Sequence, residues 1–166
     1  MARVRLVPAT TLHLAAFLRD PHELSTQLGC AIPVGWPEFP EAIPHTLAVL
    51  ESRPEEAGWW MHFFLDAESG VLVGSGGFAG PPVDGQVEIG YEIAPEHRRQ
   101  GYATAAVLAL IDRAISSGEV DRMLAHTLAT DVRSPGVLRA SGFTATGRRA
   151  DPDDGELTVW QRSVGG

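Results

Sequence analysis

"PEHRRQGYATAAVLALIDRAI", residues 95–115, decides how the rest of this 166-residue chain is read. Two adjacent arginines stand just before Gly-Tyr-Ala. From Ala103 onward, apolar side chains fall at 103, 106, 107, 110, 111, 114 and 115. That spacing is one face of an α-helix. The preceding run, "QVEIGYEIA" (86–94), is strand-like and stops at Pro95. A strand therefore feeds a long helix through a short basic turn. The first amides of a helix lack internal partners, and the aligned peptide dipoles add about half a positive charge there. Gly101 has no side chain to keep an anion from that backbone, and Ala103 has only a methyl group. Arg98 and Arg99 add forked donors beside the same spot. The stretch is built like a cradle for a diphosphate. A plain helix start with two solvated arginines is the rival reading, and the strand-to-helix context favours the cradle.

Working outward, "WWMHFFLD" (59–66), "VLVGSGGFA" (71–79) and "QVEIGYEIA" read as three strands joined by the turns "AESG" and "GPPVDG". Such short loops predict an antiparallel meander. "ARVRLV" alternates as a first strand, and Thr10 or Thr11 caps a helix running to about Arg19. Residues 20–45 carry little periodicity beyond a short helix at "PHELSTQLG"; "PHTLAVLESR" is helical. After the long helix come a strand at "RMLAHTLA" (122–129), a short helix at "SPGVLRAS", and the strands "GFTATGRRA" and "ELTVWQRS" around "DPDDG". A strand, a long helix and another strand imply one parallel crossover. The expected fold is α+β. One domain over 1–166 holds a mostly antiparallel, twisted sheet of six to seven strands with a central parallel crossover and helices on both faces.

The glycines of "VLVGSGGFAG" resemble a dinucleotide-binding turn, but that motif needs a helix directly after it, and Phe78 to Pro82 supply none. Gly74, Gly76 and Gly77 instead predict close backbone packing or a bulge. The net charge of −8 opposes binding to nucleic acid and suits a cationic partner. No apolar run reaches the length of a membrane span, and the N-terminus has no signal-peptide core. Cys30 is the single cysteine, so no internal disulfide forms and a cytoplasmic setting is expected. The six histidines and Cys30 show no metal-ligand spacing.

The segments "VEIGYEIAPEHRRQGYATAAVLALI" and "LATDVRSPGVLRASGF" together resemble the GNAT superfamily of N-acetyltransferases. The first matches its strand, Val/Ile-x-Pro, Arg-x-x-Gly-x-Ala and helix. The second matches its Asn-x-x-Ser-x-x-Val-Leu-x-x-x-Gly-Phe segment. The likeness is greatest to the branch holding the ribosomal-protein N-terminal acetyltransferases, which also contains enzymes acting on small amines. The resemblance implies acetyl-CoA as co-substrate and no metal. It places the pantetheine arm along the backbone of Ile93, Ala94 and Pro95. It places the pyrophosphate on the backbone of Arg98, Arg99, Gln100, Gly101, Tyr102, Ala103 and Thr104, with Asp131 as a further coenzyme contact. Two positions depart from the pattern. Asp131 stands for the family's Asn, and an ionised carboxylate only accepts hydrogen bonds. Leu138 stands where many members carry a tyrosine acid, so Ser134 is implied in that role.

Acetyl transfer to an amine needs a base, because lysine titrates near about 10.4 and an α-amino group near about 7.7. It also needs donors for the oxyanion and a proton for the departing thiolate. No cysteine nucleophile is required, so direct attack on the thioester is the simpler route. Glu88, on the strand leading into the cradle, is the candidate base; a solvent-facing carboxylate is the equal alternative. Glu92 shares its face unless Gly90 marks a bulge, which would free an N–H for the oxyanion. Ser134 reads first as an N-cap, with Pro135 at the first helical position, and only second as the acid. His62 and His126 read as core histidines that could serve as bases. Tyr91 and Phe143 read as packing residues. Trp36, Trp59 and Trp60 fill the core or line an acceptor pocket. The expected acceptor is a small amine or a peptide N-terminus, and a homodimer is compatible. A non-catalytic acyl-CoA-binding or sensor module on the same fold is the alternative function.

Overall fold

The computed structural model describes residues 1–164; the last two residues of the expected 1–166 domain lie outside the described part. In chain order the elements are β1 (Val4–Pro8), α1 (Thr11–Arg19), α2 (Pro21–Leu28), α3 (Ala42–Ser52), β2 (Met61–Asp66), β3 (Leu72–Phe78), β4 (Gln86–Ile93), α4 (Tyr102–Ser117), β5 (Arg122–Leu128), α5 (Ser134–Ala140), β6 (Thr144–Asp151) and β7 (Gly155–Ser163). One seven-stranded sheet runs β1-β2-β3-β4-β5-β7-β6. Its neighbours are antiparallel except β4 and β5. That parallel pair is the crossover through α4 that the sequence predicts.

Each face of the sheet carries its own core. On one, Ala106, Val107, Leu110, Ile111 and Ala114 of α4 pack on Phe64, Ile89, Ile93, Met123 and Ala125, with Leu138 of α5 beside them. On the other, Leu14, Leu24, Ile43 and Leu50 of α1–α3 cover Phe63, Leu65 and Leu72. Each such aliphatic side chain stabilises the fold by about 1.5–3 kcal/mol through burial. Phe63 and Phe64 point to opposite faces of the same strand, each into its own core, which is why one sheet serves two cores. Thr10 caps α1 reciprocally with His13, through bonds of 3.1 Å in each direction.

Three expectations about glycine resolve here. Gly74, Gly76 and Gly77 lie inside β3, and no helix follows them. A Cβ on Gly77 would sit 1.9 Å from the Trp60 carbonyl oxygen, one on Gly74 2.2 Å from that of Glu92, and one on Gly76 2.3 Å from that of Gly90. Close backbone approach, not nucleotide binding, explains this run. Of the two readings of Gly90, regular alternation holds and the bulge is absent. The β3–β4 register runs unbroken from Gly74↔Ile93 to Phe78↔Ile89, and the shift falls instead between Phe64 and Leu65 in β2. Nothing lies within 4 Å of a Cβ built on Gly90, so this glycine leaves open space on its face. Glu88, Gly90 and Glu92 consequently share one side of β4.

His62 is a core histidine. It is 1% exposed, and its Nδ1 meets the Trp60 carbonyl at 3.0 Å. Burial lowers its pKa to about 4 from 6.5, helped by the Arg113 charge and opposed by the bond to Trp60. The unfolded chain therefore binds a proton that the folded chain refuses between those values. Stability falls as pH drops from about 6.5 toward 4, by about 3 kcal/mol at full shift. Denaturant midpoints at pH 7 and 4.5 check this. His62→Gln is expected to flatten the acid loss, and a decline parallel to the parent assigns it to other groups.

Candidate active site

The β4–β5 pair opens at its C-terminal end. Their register runs from Gln86↔Arg122 to Ile89↔Ala125 and stops, although β4 continues to Ile93 and β5 to Leu128. The Ala94 amide donates to the Val73 carbonyl at 2.8 Å, and the Ala79 amide to Glu88 at 2.9 Å. These bonds fix the alternation along β4. Backbone groups of Glu88, Gly90, Glu92 and Ala94 face β3, and those of Tyr91 and Ile93 face the opening. The far wall is His126, Thr127 and Leu128, which pair with β7. The wedge widens into a cavity of about 1480 Å³, reached by the first turn of α4, the 130–134 loop, α5 and the 37–39 loop.

Of the three residues expected along the pantetheine, Ile93 presents backbone to the wedge, with its carbonyl also accepting from Arg98 Nε at 3.0 Å. Ala94 is 1% exposed and its amide is spent on β3. Pro95 has no amide. Tyr91, not singled out for this by sequence, supplies the remaining edge.

At the cradle, Gly101 is the N-cap of α4 with φ +86° and no side-chain cap. The first amide of the helix region bonded to backbone is that of Ala105, to Gly101 at 3.1 Å. Among the described residues, none accepts from the amides of Gly101, Tyr102, Ala103 or Thr104. All four residues line the cavity. Arg99 also has positive φ, +61°, a conformation that costs a non-glycine residue about 1–2 kcal/mol. Two left-handed residues flank Gln100, a backbone form related to the concavities that bind anions in other proteins.

Side chains hold the turn in place. The Arg98 guanidinium points back to Ile93 and reaches Glu38 at 3.4 Å, so its charge is shared with the loop. Gln100 turns away from the cavity, and its side-chain amide donates to the Glu96 carbonyl at 3.2 Å. The Tyr102 hydroxyl donates to Asp66, whose other oxygen accepts from the amides of Glu68 and Ser69 at 2.8 Å. That bond to Tyr102, then those to the two amides, lower the Asp66 carboxyl to about 2. The β2–β3 turn thereby anchors the first turn of α4. Arg99 is exposed and lines the cavity, as does Arg133, so both guanidinium groups are open to it.

The two glutamates on the open face of β4 differ in surroundings. Glu92 accepts from the amides of Glu38 at 2.7 Å and Phe39 at 3.3 Å, stapling that loop to the sheet. Burial raises its pKa against the pull of those amides. Its carboxylate is occupied by structure. Glu88 stands opposite Leu124 in the last stretch of pairing, with a side chain 45% exposed. His126, two residues beyond Leu124, shares that face. Its Nδ1 lies 3.2 Å from Glu88 Oε1, while the ring is only 12% exposed. Nδ1 is sealed and does not reach hydrogen-bond geometry with any described acceptor. The contact is therefore a close approach without a hydrogen bond, and an ion pair only when the imidazole is protonated. Its place on a strand reads as a core role for His126 from sequence; strand register reveals its neighbour.

On the opposite face, Asp131 Oδ1 accepts from the amides of Arg133 at 2.8 Å and Ser134 at 3.1 Å. Burial pushes this carboxyl up, but those amides outweigh it and hold it below the usual range. Asp131 thus caps α5. Ser134 is the first residue of the helix, not its N-cap, and lines the cavity. Leu138 is fully buried and offers no polar atom. The Tyr91 hydroxyl is sealed from solvent without a partner, beside Ser134 and Asp131. An unpaired buried hydroxyl costs about 1–3 kcal/mol. Trp36 and Trp59 are core residues, the former donating to Ser75 Oγ at 2.9 Å, whereas Trp60 lines the cavity. No group of three or more His, Cys, Asp or Glu is gathered for a metal among the described residues.

Comparison with known proteins agrees with this fold. The family model described as "Acetyltransferase (GNAT) domain" matches residues 3–144. An uncharacterized N-acetyltransferase of Bacillus subtilis (strain 168), YjdG, is 30% identical over 152 residues, which is 90% of this chain and 90% of that protein. A solved structure of RimL, a ribosomal L7/L12 alpha-N-protein acetyltransferase in complex with coenzyme A, superposes with a TM-score of 0.69 at 18% identity, over 98% of this chain and 94% of that one. A chimera of the spermidine N-acetyltransferase SpeG from Vibrio cholerae and hSSAT gives 0.70 at 14% identity, over 97% and 95%. At these identities the solved structures share the fold.

Proposed function

Because the chain belongs to the GNAT acetyltransferase family and is an N-acetyltransferase, we propose that its unpaired α4 amides hold the diphosphate of acetyl-CoA and that Glu88 takes the proton of an incoming primary amine. The carrying observation is the set of amides from Gly101 to Thr104 without described partners, on residues that line a cavity continuing into the open β4–β5 edge. The residues fit the group. A helix N-terminus with a glycine cap and an exposed arginine suits a diphosphate, and the backbone edges of Tyr91 and Ile93 suit an amide-bearing arm lying as an extra strand. Bound there, the coenzyme supplies an activated acetyl thioester.

Glu88 receives the amine's proton at a carboxylate oxygen open to the cleft. His126 Nδ1 lies 3.2 Å from that carboxylate. The Tyr91 amide, freed by splaying rather than by a bulge, is a donor for the developing oxyanion. Ser134 sits at the entrance of α5, where its hydroxyl can pass protons. Asp131 acts indirectly, by fixing that helix start.

The acceptor is a primary amine, either a peptide N-terminus or a small amine. Glu38, Phe39, His45 and Trp60 line the other mouth of the cavity, so an amine with an apolar portion and positive charge fits. Incubating the protein with acetyl-CoA and a panel of N-terminal peptides, polyamines and small aromatic amines, while following free thiol release, tests this. Turnover on at least one amine is expected. Coenzyme binding without turnover on any of them would favour a sensor module instead.

A further inference from the structure

Glu88, Gly90 and Glu92 share one face of β4, and nothing lies within 4 Å of a Cβ built on Gly90. Glu88 and Glu92 therefore border one gap, about 13 Å long at about 3.3 Å per strand residue. The 35–39 segment stands at its far end, tied to β3, β4 and the turn after β4. Gly35 packs on Pro95, whose Cγ a Cβ at 35 would meet at 3.1 Å. Trp36 Nε1 donates to Ser75 Oγ at 2.9 Å, and Ser75 is the register partner of Glu92. Both Trp36 and Ser75 are 5% exposed, so the root of the segment is buried. Its tip is held differently. The half-buried Glu92 carboxylate accepts from the amides of Glu38 and Phe39, and Arg98 spans from the Ile93 carbonyl to Glu38. Phe39 is 53% exposed and lines the cavity. Its carbonyl accepts from the Ala42 amide at 3.2 Å, at the start of α3. Ala42, His45 and Thr46 of that helix line the same cavity. What fixes the amides of residues 38 and 39 thus fixes the wall beyond the gap.

We propose that Glu92 is a positioning residue for the acceptor: through the amides of Glu38 and Phe39 it holds the 37–39 loop and the start of α3 as the wall on which the body of the amine rests. This rests on the acetyl-transfer reading above, with Glu88 as the base. An amine presented to Glu88 carries the rest of its structure across the open space over Gly90, toward Phe39. Two amides on one carboxylate are charge-assisted and directional bonds. They set where Phe39 stands instead of only covering the sheet. Glu92 takes no proton from the amine, so the step it governs is acceptor binding. Weakening its hold should raise the KM of an acceptor long enough to reach the loop. It should leave kcat, coenzyme affinity and the KM of a very short amine as they are.

Glu92→Gln keeps the volume and one acceptor oxygen but puts an NH₂ group where the second amide is received. The long acceptor is the fastest of 2-phenylethylamine, spermidine and tetra-alanine with the parent enzyme and acetyl-CoA; methylamine is the short one. In Glu92→Gln, KM for the long acceptor is expected to rise about tenfold, the worth of one lost hydrogen bond to a charged group. Its kcat, its KM for methylamine and its Kd for coenzyme A are expected to match the parent's. Phe39→Ala is expected to raise the same KM. The double variant should add little to the larger single effect, because both changes act on one contact. Amide hydrogen exchange in Glu92→Gln should quicken at Glu38, Phe39 and Ala42 and not along β4 and β5. Four results would each overturn the proposal: equal KM rises for long and short amines, a fall in kcat at unchanged KM, additive effects of the two substitutions, or loop amides that exchange as slowly as in the parent. Turnover of none of the four amines by the parent would instead fail the acetyl-transfer reading.

Discussion

Glu88→Gln loses about 10²–10⁴-fold in turnover while keeping its affinity for acetyl-CoA. The substitution preserves volume and strand geometry and removes only the carboxylate's ability to take a proton. Its surroundings make the result interpretable. The side chain is nearly half exposed, and the described structure gives it one close polar neighbour, His126. Little structure depends on it, so stability should change by less than about 0.5 kcal/mol. The contrast is Glu92→Gln, which weakens two amide contacts to the 37–39 loop and is expected to disturb that loop first. Steady-state rates across pH, paired with calorimetric coenzyme binding, separate the two. Full turnover in Glu88→Gln would remove this residue from the chemistry and turn attention to His126.

The second large effect is at Gly101. Its φ of +86° is the left-handed region, so Gly101→Val places a β-branched residue where such backbone is strained by about 1–2 kcal/mol. The new side chain also stands where a diphosphate must approach. Losing one or two charge-assisted hydrogen bonds is worth about 3 kcal/mol, or roughly 100-fold in Kd. Strain and obstruction can be told apart. A Cβ at 101 would meet only the Cβ of Ala2, at 3.6 Å, so the protein itself has room for a side chain. Asn tolerates left-handed backbone. Gly101→Asn is therefore expected to hold its denaturant midpoint close to the parent's and still lose most coenzyme affinity. If Gly101→Asn bound coenzyme A like the parent, the diphosphate would not sit against this residue.

What could be read from sequence followed from local periodicity. The meander, the α4 face and the order of elements depend on spacings within one run of residues, and they match the structure closely. The insertion of β7 between β5 and β6 rests on pairing between distant segments, which no local pattern records. The loop at 29–41 lacks periodicity because it is held from outside. Trp36 bonds Ser75, and Glu92 holds the amides of Glu38 and Phe39 across 54 and 53 residues of chain. The cradle was legible because it is contiguous. The facing of Glu88 and His126 and the isolation of Tyr91 Oη were not, since each depends on where β4 and β5 part. Gly90 illustrates the limit: a strand glycine signals that a side chain is unwanted, without saying whether a bulge or empty space is the reason.

Binding of coenzyme A to the ¹⁵N-labelled protein, followed residue by residue through its amide resonances, tests the central claim most directly. The account predicts that the largest shifts fall on Gly101, Tyr102, Ala103 and Thr104, with a second group at Tyr91 and Ile93 along the open strand edge. Saturable binding that leaves those six amides unmoved while others shift would place the coenzyme elsewhere and contradict the account.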